Sequence, residues 1–174
     1  PREEAIILSE QQDFKVAMDL FSWFRTQEAH VPNVFRYNIM FKIIGKHRKW
    51  ALLNEFWKKM LLQDKVSPSN VTYSTIIDAY RKSGLKKEAL LWFEGMSKEK
   101  VQPDEVTLNT VLNLYKLSGN YSEAETFSNK FLYGINKEEN KSIRPQKVDT
   151  YNTLIDLYGK AGNLDDASRV FEEM

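Results

Sequence analysis

The sequence predicts an all-α fold, a right-handed α-solenoid of stacked helix-turn-helix repeats, from three markers that keep one register. Interior prolines fall at Pro32, Pro68, Pro103 and Pro145, spaced by 36, 35 and 42 residues. A related string follows each: Phe35-Arg36-Tyr37-Asn38, Val71-Thr72-Tyr73-Ser74, Val106-Thr107-Leu108-Asn109 and Asp149-Thr150-Tyr151-Asn152. An apolar run then ends at Phe24, Met60, Met96, Phe131 and Met174, with offsets of 36, 36, 35 and 43.

Residues 1–33 read as a degenerate first repeat, and residues 34–69 as the first full one. Its turn string, Gly45-Lys46-His47-Arg48, lacks the final glycine of Arg81-Lys82-Ser83-Gly84, Lys116-Leu117-Ser118-Gly119 and Gly159-Lys160-Ala161-Gly162. Residues 70–104 show the unit most plainly. Tyr73, Ile76, Ile77 and Tyr80 share one face of a helix, and Gly84 sits where a left-handed residue ends it. Ala89, Leu90, Trp92, Phe93 and Met96 form a second stripe, which stops before Pro103. Residues 105–147 form a repeat lengthened near 134–143, where the Lys, Glu and Asn of Gly134 to Ile143 read as a solvated loop. Residues 148–174 open another repeat that is cut short. Neither apolar stripe of a hairpin is buried alone, so neighbouring hairpins stack.

Composition excludes several function classes. Among 174 residues there are 25 Lys and Arg against 24 Asp and Glu, a net charge of +1, so bulk attraction names no partner. Absence of cysteine removes disulfides, cysteine-ligated zinc and thiol nucleophiles from this segment. His30 and His47 lie in different repeats without metal-ligand spacing and read as surface or turn residues. No phosphate-binding glycine loop or nucleophile elbow occurs, so no enzyme and no cofactor is expected. No apolar stretch is long enough for a membrane span. Pro1 and Met174 read as cut points in something longer. Trp23, Trp50, Trp57 and Trp92 fall in or beside second-helix stripes and are expected in the core.

The string from Val71 to Gly84, then Lys87-Glu88-Ala89-Leu90, Met96 and Val101-Gln102-Pro103-Asp104, resembles the pentatricopeptide repeat family. Tyr151-Asn152-Thr153-Leu154-Ile155-Asp156-Leu157-Tyr158-Gly159-Lys160-Ala161-Gly162, followed by Ala167 to Met174, is similar to the same pattern, and the resemblance covers nearly the whole chain. Tetratricopeptide repeats share the helix hairpin but lack the Thr-Tyr-Asn opening.

On each first helix, motif positions 2, 5, 9 and 12 lie on one face away from the core stripe. They are Phe35, Asn38, Lys42 and Gly45; Val71, Ser74, Asp78 and Arg81; and Val106, Asn109, Asn113 and Lys116. Asn or Ser returns at the fifth position as Asn38, Ser74, Asn109 and Asn152, although each is ~0.5 kcal/mol worse than Ala inside a helix. A first-turn cap is one explanation and a ligand contact the other; the residue lies too far inside the helix for a good cap.

The resemblance implies single-stranded RNA as partner, one base per repeat, read by the fifth and last residues. The implied pairs are Asn38 with Ser69, Ser74 with Asp104, and Asn109 with Lys147 or Gln146; Asn152 lacks a partner. The Asp104 carboxylate accepts hydrogen bonds only, and short Ser74 leaves room for a purine, which favours G. Asn at position 5 resembles the family's pyrimidine setting, giving pyrimidine, G, pyrimidine, pyrimidine from the 5′ side. Phe35, Val71 and Val106 would flank the bases, with Asp149 departing from the pattern. Lys46, Lys82 and Lys160 would meet phosphates, with Leu117 breaking that series; each lysine equally suits the negative end of its helix dipole. The implied role is organellar RNA processing, stabilisation or intron splicing, in plastids first and mitochondria second, with other RNA-processing proteins as further partners. The alternative is a protein-interaction solenoid that binds a peptide or helix. Apolar end faces also suit a homodimer.

Overall fold

The computed structural model describes residues 2–11, 13–27, 31–131 and 145–174. The Gly134 to Ile143 insertion and His30 lie outside the described residues. The described residues form helices joined by turns and short loops, with no strand among them. They divide into two compact units, Pro1–Val101 and Gln102–Met174.

In the first unit the helices are α1 (Arg2–Glu10), α2 (Phe14–Thr26), α3 (Val34–Lys46), α4 (Trp50–Lys58), α5 (Asn70–Lys82) and α6 (Lys86–Lys98). The first helices pack side by side, α1 on α3 and α3 on α5, while α2, α4 and α6 back them. Tyr37, Phe41, Ile44, Tyr73, Ile76 and Ile77 are buried from the first helices; Phe21, Leu53, Phe56, Met60, Phe93 and Met96 meet them from the second. Each such side chain contributes ~1.5–3 kcal/mol by leaving water. Trp50 stacks on Tyr80 at 4.3 Å between centroids, and Trp57 and Trp92 meet edge to face at 4.8 Å. Trp23 departs from expectation. It flanks the Ala17, Phe21, Phe24 stripe of α2 instead of joining it, and is 56% exposed.

In the second unit are α7 (Glu105–Ser118), α8 (Tyr121–Phe131), α9 (Val148–Ala161) and α10 (Leu164–Glu173). Here α9 packs on α7, α8 and α10, around Leu108, Val111, Leu112, Phe127, Leu154, Leu157 and Tyr158.

Turn chemistry explains where the first helices stop. Gly84, Gly119 and Gly162 are left-handed, with φ of 78°, 71° and 79°. Arg48 takes the same conformation at φ 54° without being glycine, so the degenerate turn string keeps its backbone and carries the steric cost.

One surplus residue is also absorbed visibly. Met60 and Met96, both fully buried, are 36 residues apart, whereas the left-handed residues that follow them, Lys65 and Lys100, are 35 apart. The extra residue lies in a π-helical turn, Lys59–Gln63, that continues α4. There the Asp64 N–H donates to the Lys59 carbonyl, five residues back; at the matching place in α6 the Glu99 N–H donates to Gly95, four back. The wider turn delivers the Asp64 carboxylate to Arg25 Nη1 at 2.8 Å and to the Tyr37 hydroxyl at 2.7 Å. Burial, and then the hydrogen bond to Asp64, hold the Tyr37 phenol far above its ordinary range.

Candidate functional site

The helices that carry the recurrent positions begin where proline and a capping residue meet. Asn33 caps α3, accepting from the Phe35 N–H at 2.7 Å. Ser69 caps α5 in a reciprocal box: its hydroxyl accepts from the Thr72 N–H, and Thr72 Oγ1 accepts from the Ser69 N–H at 3.0 Å. Asp104 caps α7 through Oδ1, which accepts the Thr107 N–H at 2.8 Å and the Thr107 hydroxyl at 2.7 Å. Lys147 precedes α9 and offers no side-chain cap. Glu105 substitutes from α7, its Oε1 accepting the N–H groups of Gln146 and Lys147 at 2.9 Å each. Burial opposes ionisation of Glu105, but these backbone donors outweigh it and hold the carboxyl below its ordinary range. Ser69 and Asp104, both expected from the sequence to contact bases, are helix caps in the structure. The Ser-x-x-Thr and Asp-x-x-Thr spacings carried that signal.

At position 2, Phe35, Val71 and Val106 are 68%, 56% and 50% exposed, and Asp149 is exposed too. Single exposed apolar side chains are ordinary, but three in one register form a feature. Position 5 is less uniform. Asn152 is exposed, and Ser74 and Asn109 are half-buried. Asn38 is 9% exposed, and its Oδ1 is buried without a hydrogen-bond partner. The Ser74 hydroxyl donates to the Val71 carbonyl at 3.1 Å. Asn113, at position 9, donates through Nδ2 to the Asn109 carbonyl at 2.9 Å and approaches Asn109 Oδ1 at 3.4 Å.

The lysines at position 13 are on the surface, but two have carboxylate partners. Asp78 holds Arg81 Nη2 at 2.7 Å and Lys82 Nζ at 2.6 Å. Asp156 Oδ2 lies 2.9 Å from Lys116 Nζ, on α7, and 3.0 Å from Lys160 Nζ, on its own helix. Hydrogen bonds from Lys116 and Lys160 hold the Asp156 carboxyl below its ordinary range. For Asp78, burial opposes ionisation and the bonds from Lys82 and Arg81 overcome it, again lowering the value. Lys46 is exposed on α3, where position 9 is Lys42 rather than an acid. The fold places Asn38 and Ser69 in the first unit and Asn109 and Lys147 in the second; Ser74 belongs to the first and Asp104 to the second.

Three repeat models match this sequence: one described as the PPR repeat family over residues 68–116, one as a PPR repeat over 148–174, and one as a pentatricopeptide repeat domain over 26–83. Together they cover more than half of the chain. The chain belongs to the pentatricopeptide repeat family.

Among members of that family, a pentatricopeptide repeat-containing protein of Arabidopsis thaliana is 41% identical over 173 residues. The match takes in 99% of this chain and 20% of the relative, so the chain spans about a fifth of that protein's length. A chloroplastic pentatricopeptide repeat-containing protein of Zea mays, ATP4, is 36% identical over 72 residues, or 41% of this chain and 10% of that protein. The crystal structure of the pentatricopeptide repeat protein PPR10 in complex with an 18-nt psaJ RNA element is similar with a TM-score of 0.68 and 25% identity, covering 99% of this chain and 28% of that one. The PPR domain of Arabidopsis thaliana protein-only RNase P 1, in complex with tRNA, has a TM-score of 0.72 at 14% identity, covering 99% of this chain and 86% of that domain; it supports the shared fold alone.

Proposed function

We propose that these repeats bind single-stranded RNA sequence-selectively along the exposed face of their first helices, and act by binding rather than by catalysis. The observation that carries the reading is the recurrence of exposed Phe35, Val71 and Val106, each one turn from an Asn or Ser at position 5. The family's RNA-bound member PPR10 supports it. Each base lies between position-2 side chains of adjacent repeats, where apolar contact is indifferent to base identity. Identity is read by the polar pairs Asn38 with Ser69, Ser74 with Asp104, and Asn109 with Lys147. Asp104 caps α7 through Oδ1, and these bonds to Thr107 fix the orientation of its carboxylate. That carboxylate with Ser74 selects G within a run of pyrimidine, G, pyrimidine, pyrimidine. Asn38, being buried, contributes least, and Asn152 reads without a partner. Lys46, Lys82 and Lys160 meet phosphates.

The cellular role that follows is RNA processing, stabilisation or splicing in an organelle, with the plastid favoured by the chloroplastic relative from maize. A gel-shift series tests the reading. Short RNAs containing pyrimidine-G-pyrimidine bind more tightly than scrambled versions of equal length, and equal affinity for both would overturn sequence selectivity.

A further inference from the structure

Position 9 of the first helices decides how many phosphate-facing cations are available, a consequence that rests on the RNA-binding reading. On α5 the Asp78 carboxylate takes Arg81 through Oδ1 and Lys82 through Oδ2. On α9 the Asp156 Oδ2 is shared by Lys116 and Lys160, one from the neighbouring helix and one from its own. Each cluster combines two cations with one carboxylate, so its net charge is one positive instead of two. On α3 the same place holds Lys42, one turn before Lys46, so that helix carries a cation where α5 and α9 carry a carboxylate.

We infer that Asp78 and Asp156 are built-in counter-ions that compete with RNA phosphates for Arg81, Lys82, Lys116 and Lys160, and so set both the affinity and the salt dependence of binding. A phosphate that approaches Lys82 or Lys160 meets an ammonium already paired at 2.6 or 3.0 Å, together with repulsion from the carboxylate. Both clusters are partly exposed, with the Asp78 and Asp156 side chains at 35% and 41%, so the exchange needs no repacking. Because a pair inside the protein releases no salt ion when it opens, the carboxylates flatten the dependence of affinity on salt. They exact less from base discrimination, since repulsion acts on the backbone whatever its sequence.

The test uses the 174-residue chain and a fluorescein-labelled short RNA containing the run pyrimidine, G, pyrimidine, pyrimidine, followed by anisotropy across a salt series. Asp156→Asn and Asp78→Asn each raise affinity at low salt by roughly two- to fivefold. Each also steepens the plot of log affinity against log salt by about 0.7 for every phosphate newly neutralised. The isosteric Asp78→Asn matters because both its partners lie on its own helix, so a loosened contact between helices cannot explain its effect. Glu94→Gln, an equal charge change on the exposed side of α6, is the control and leaves affinity and slope unchanged. Unchanged slopes in both Asp variants, or an equal gain in Glu94→Gln, would overturn the counter-ion role while leaving RNA binding standing. No binding by wild type or variants at low salt would overturn the RNA-binding reading itself.

Discussion

A Cβ placed on Gly45 would lie 2.5 Å from the Cβ of Ala79, so α3 and α5 meet there with no room for a second side chain. Gly45 occupies position 12 of its helix, where Arg81 and Lys116 stand in the next two repeats, and it is buried where they are partly exposed. Its absent side chain is therefore a packing requirement. Gly45→Ala gains about 1 kcal/mol of helix propensity, but overpacking against Ala79 costs about 1–3 kcal/mol. Urea unfolding should find the single variant less stable by about 1 kcal/mol, and Ala79→Gly in the same chain should restore most of the loss.

Arg48 holds a left-handed backbone that its glycine counterparts adopt without strain. Arg48→Gly should raise stability by about 0.5–1 kcal/mol, the relief of that strain exceeding the added freedom of the unfolded chain. The same change at exposed Lys42, inside a helix, should lower stability by about 1 kcal/mol, which separates the two effects in one thermal series.

The Arg25, Tyr37 and Asp64 cluster makes stability depend on alkaline pH. The Tyr37 phenol is raised above its ordinary value of 10.0, first by burial and then by Asp64. A raised group stabilises the fold fully below its unfolded value; above it the unfolded chain ionises first, and stability falls as pH rises further. Unfolding free energy should therefore decline above about pH 10, and Tyr37→Phe should flatten part of that decline. Tyr73, Tyr80 and Tyr158, each raised chiefly by burial, should retain the remainder.

The capping of α7 by Asp104 is separable from its proposed contact with a base. Asp104→Ala removes the cap of α7 and should cost about 0.5–2 kcal/mol of stability, whereas Asp104→Asn keeps a capping side chain and should cost little. Circular dichroism melts of the two variants would show the difference. Equal stability in Asp104→Ala and wild type would mean that the bonds to Thr107 contribute nothing.

Helix order, repeat period and exposed position-2 side chains were legible because they are local: proline, a cap, a 3.6-residue stripe and a left-handed glycine lie within a few residues of one another. The surplus residue between Met60 and Lys65 was equally visible as a change of offset. Its absorption by a π-turn depended on Asp64 finding Arg25 and Tyr37, which lie far away in sequence. The contact between Gly45 and Ala79 is likewise a property of two helices and leaves no trace in either alone. Burial of Asn38 belongs with these, since its place on the helix matches that of exposed Asn152. The pairing of Asp78 with Lys82 and of Asp156 with Lys160 was readable from the four-residue spacing, but the reach of Lys116 across to Asp156 was not.

Reading of a base by Ser74 and Asp104 is measured by base preference at the nucleotide proposed to face them. Binding of four short RNAs that differ only at that nucleotide should favour G by about tenfold in the wild-type chain. In the double variant Ser74→Asn with Asp104→Asn, which keeps a cap on α7, the preference should move from G to a pyrimidine. An unchanged order of the four RNAs, whatever the total affinity, would contradict the assignment of these two residues to base reading.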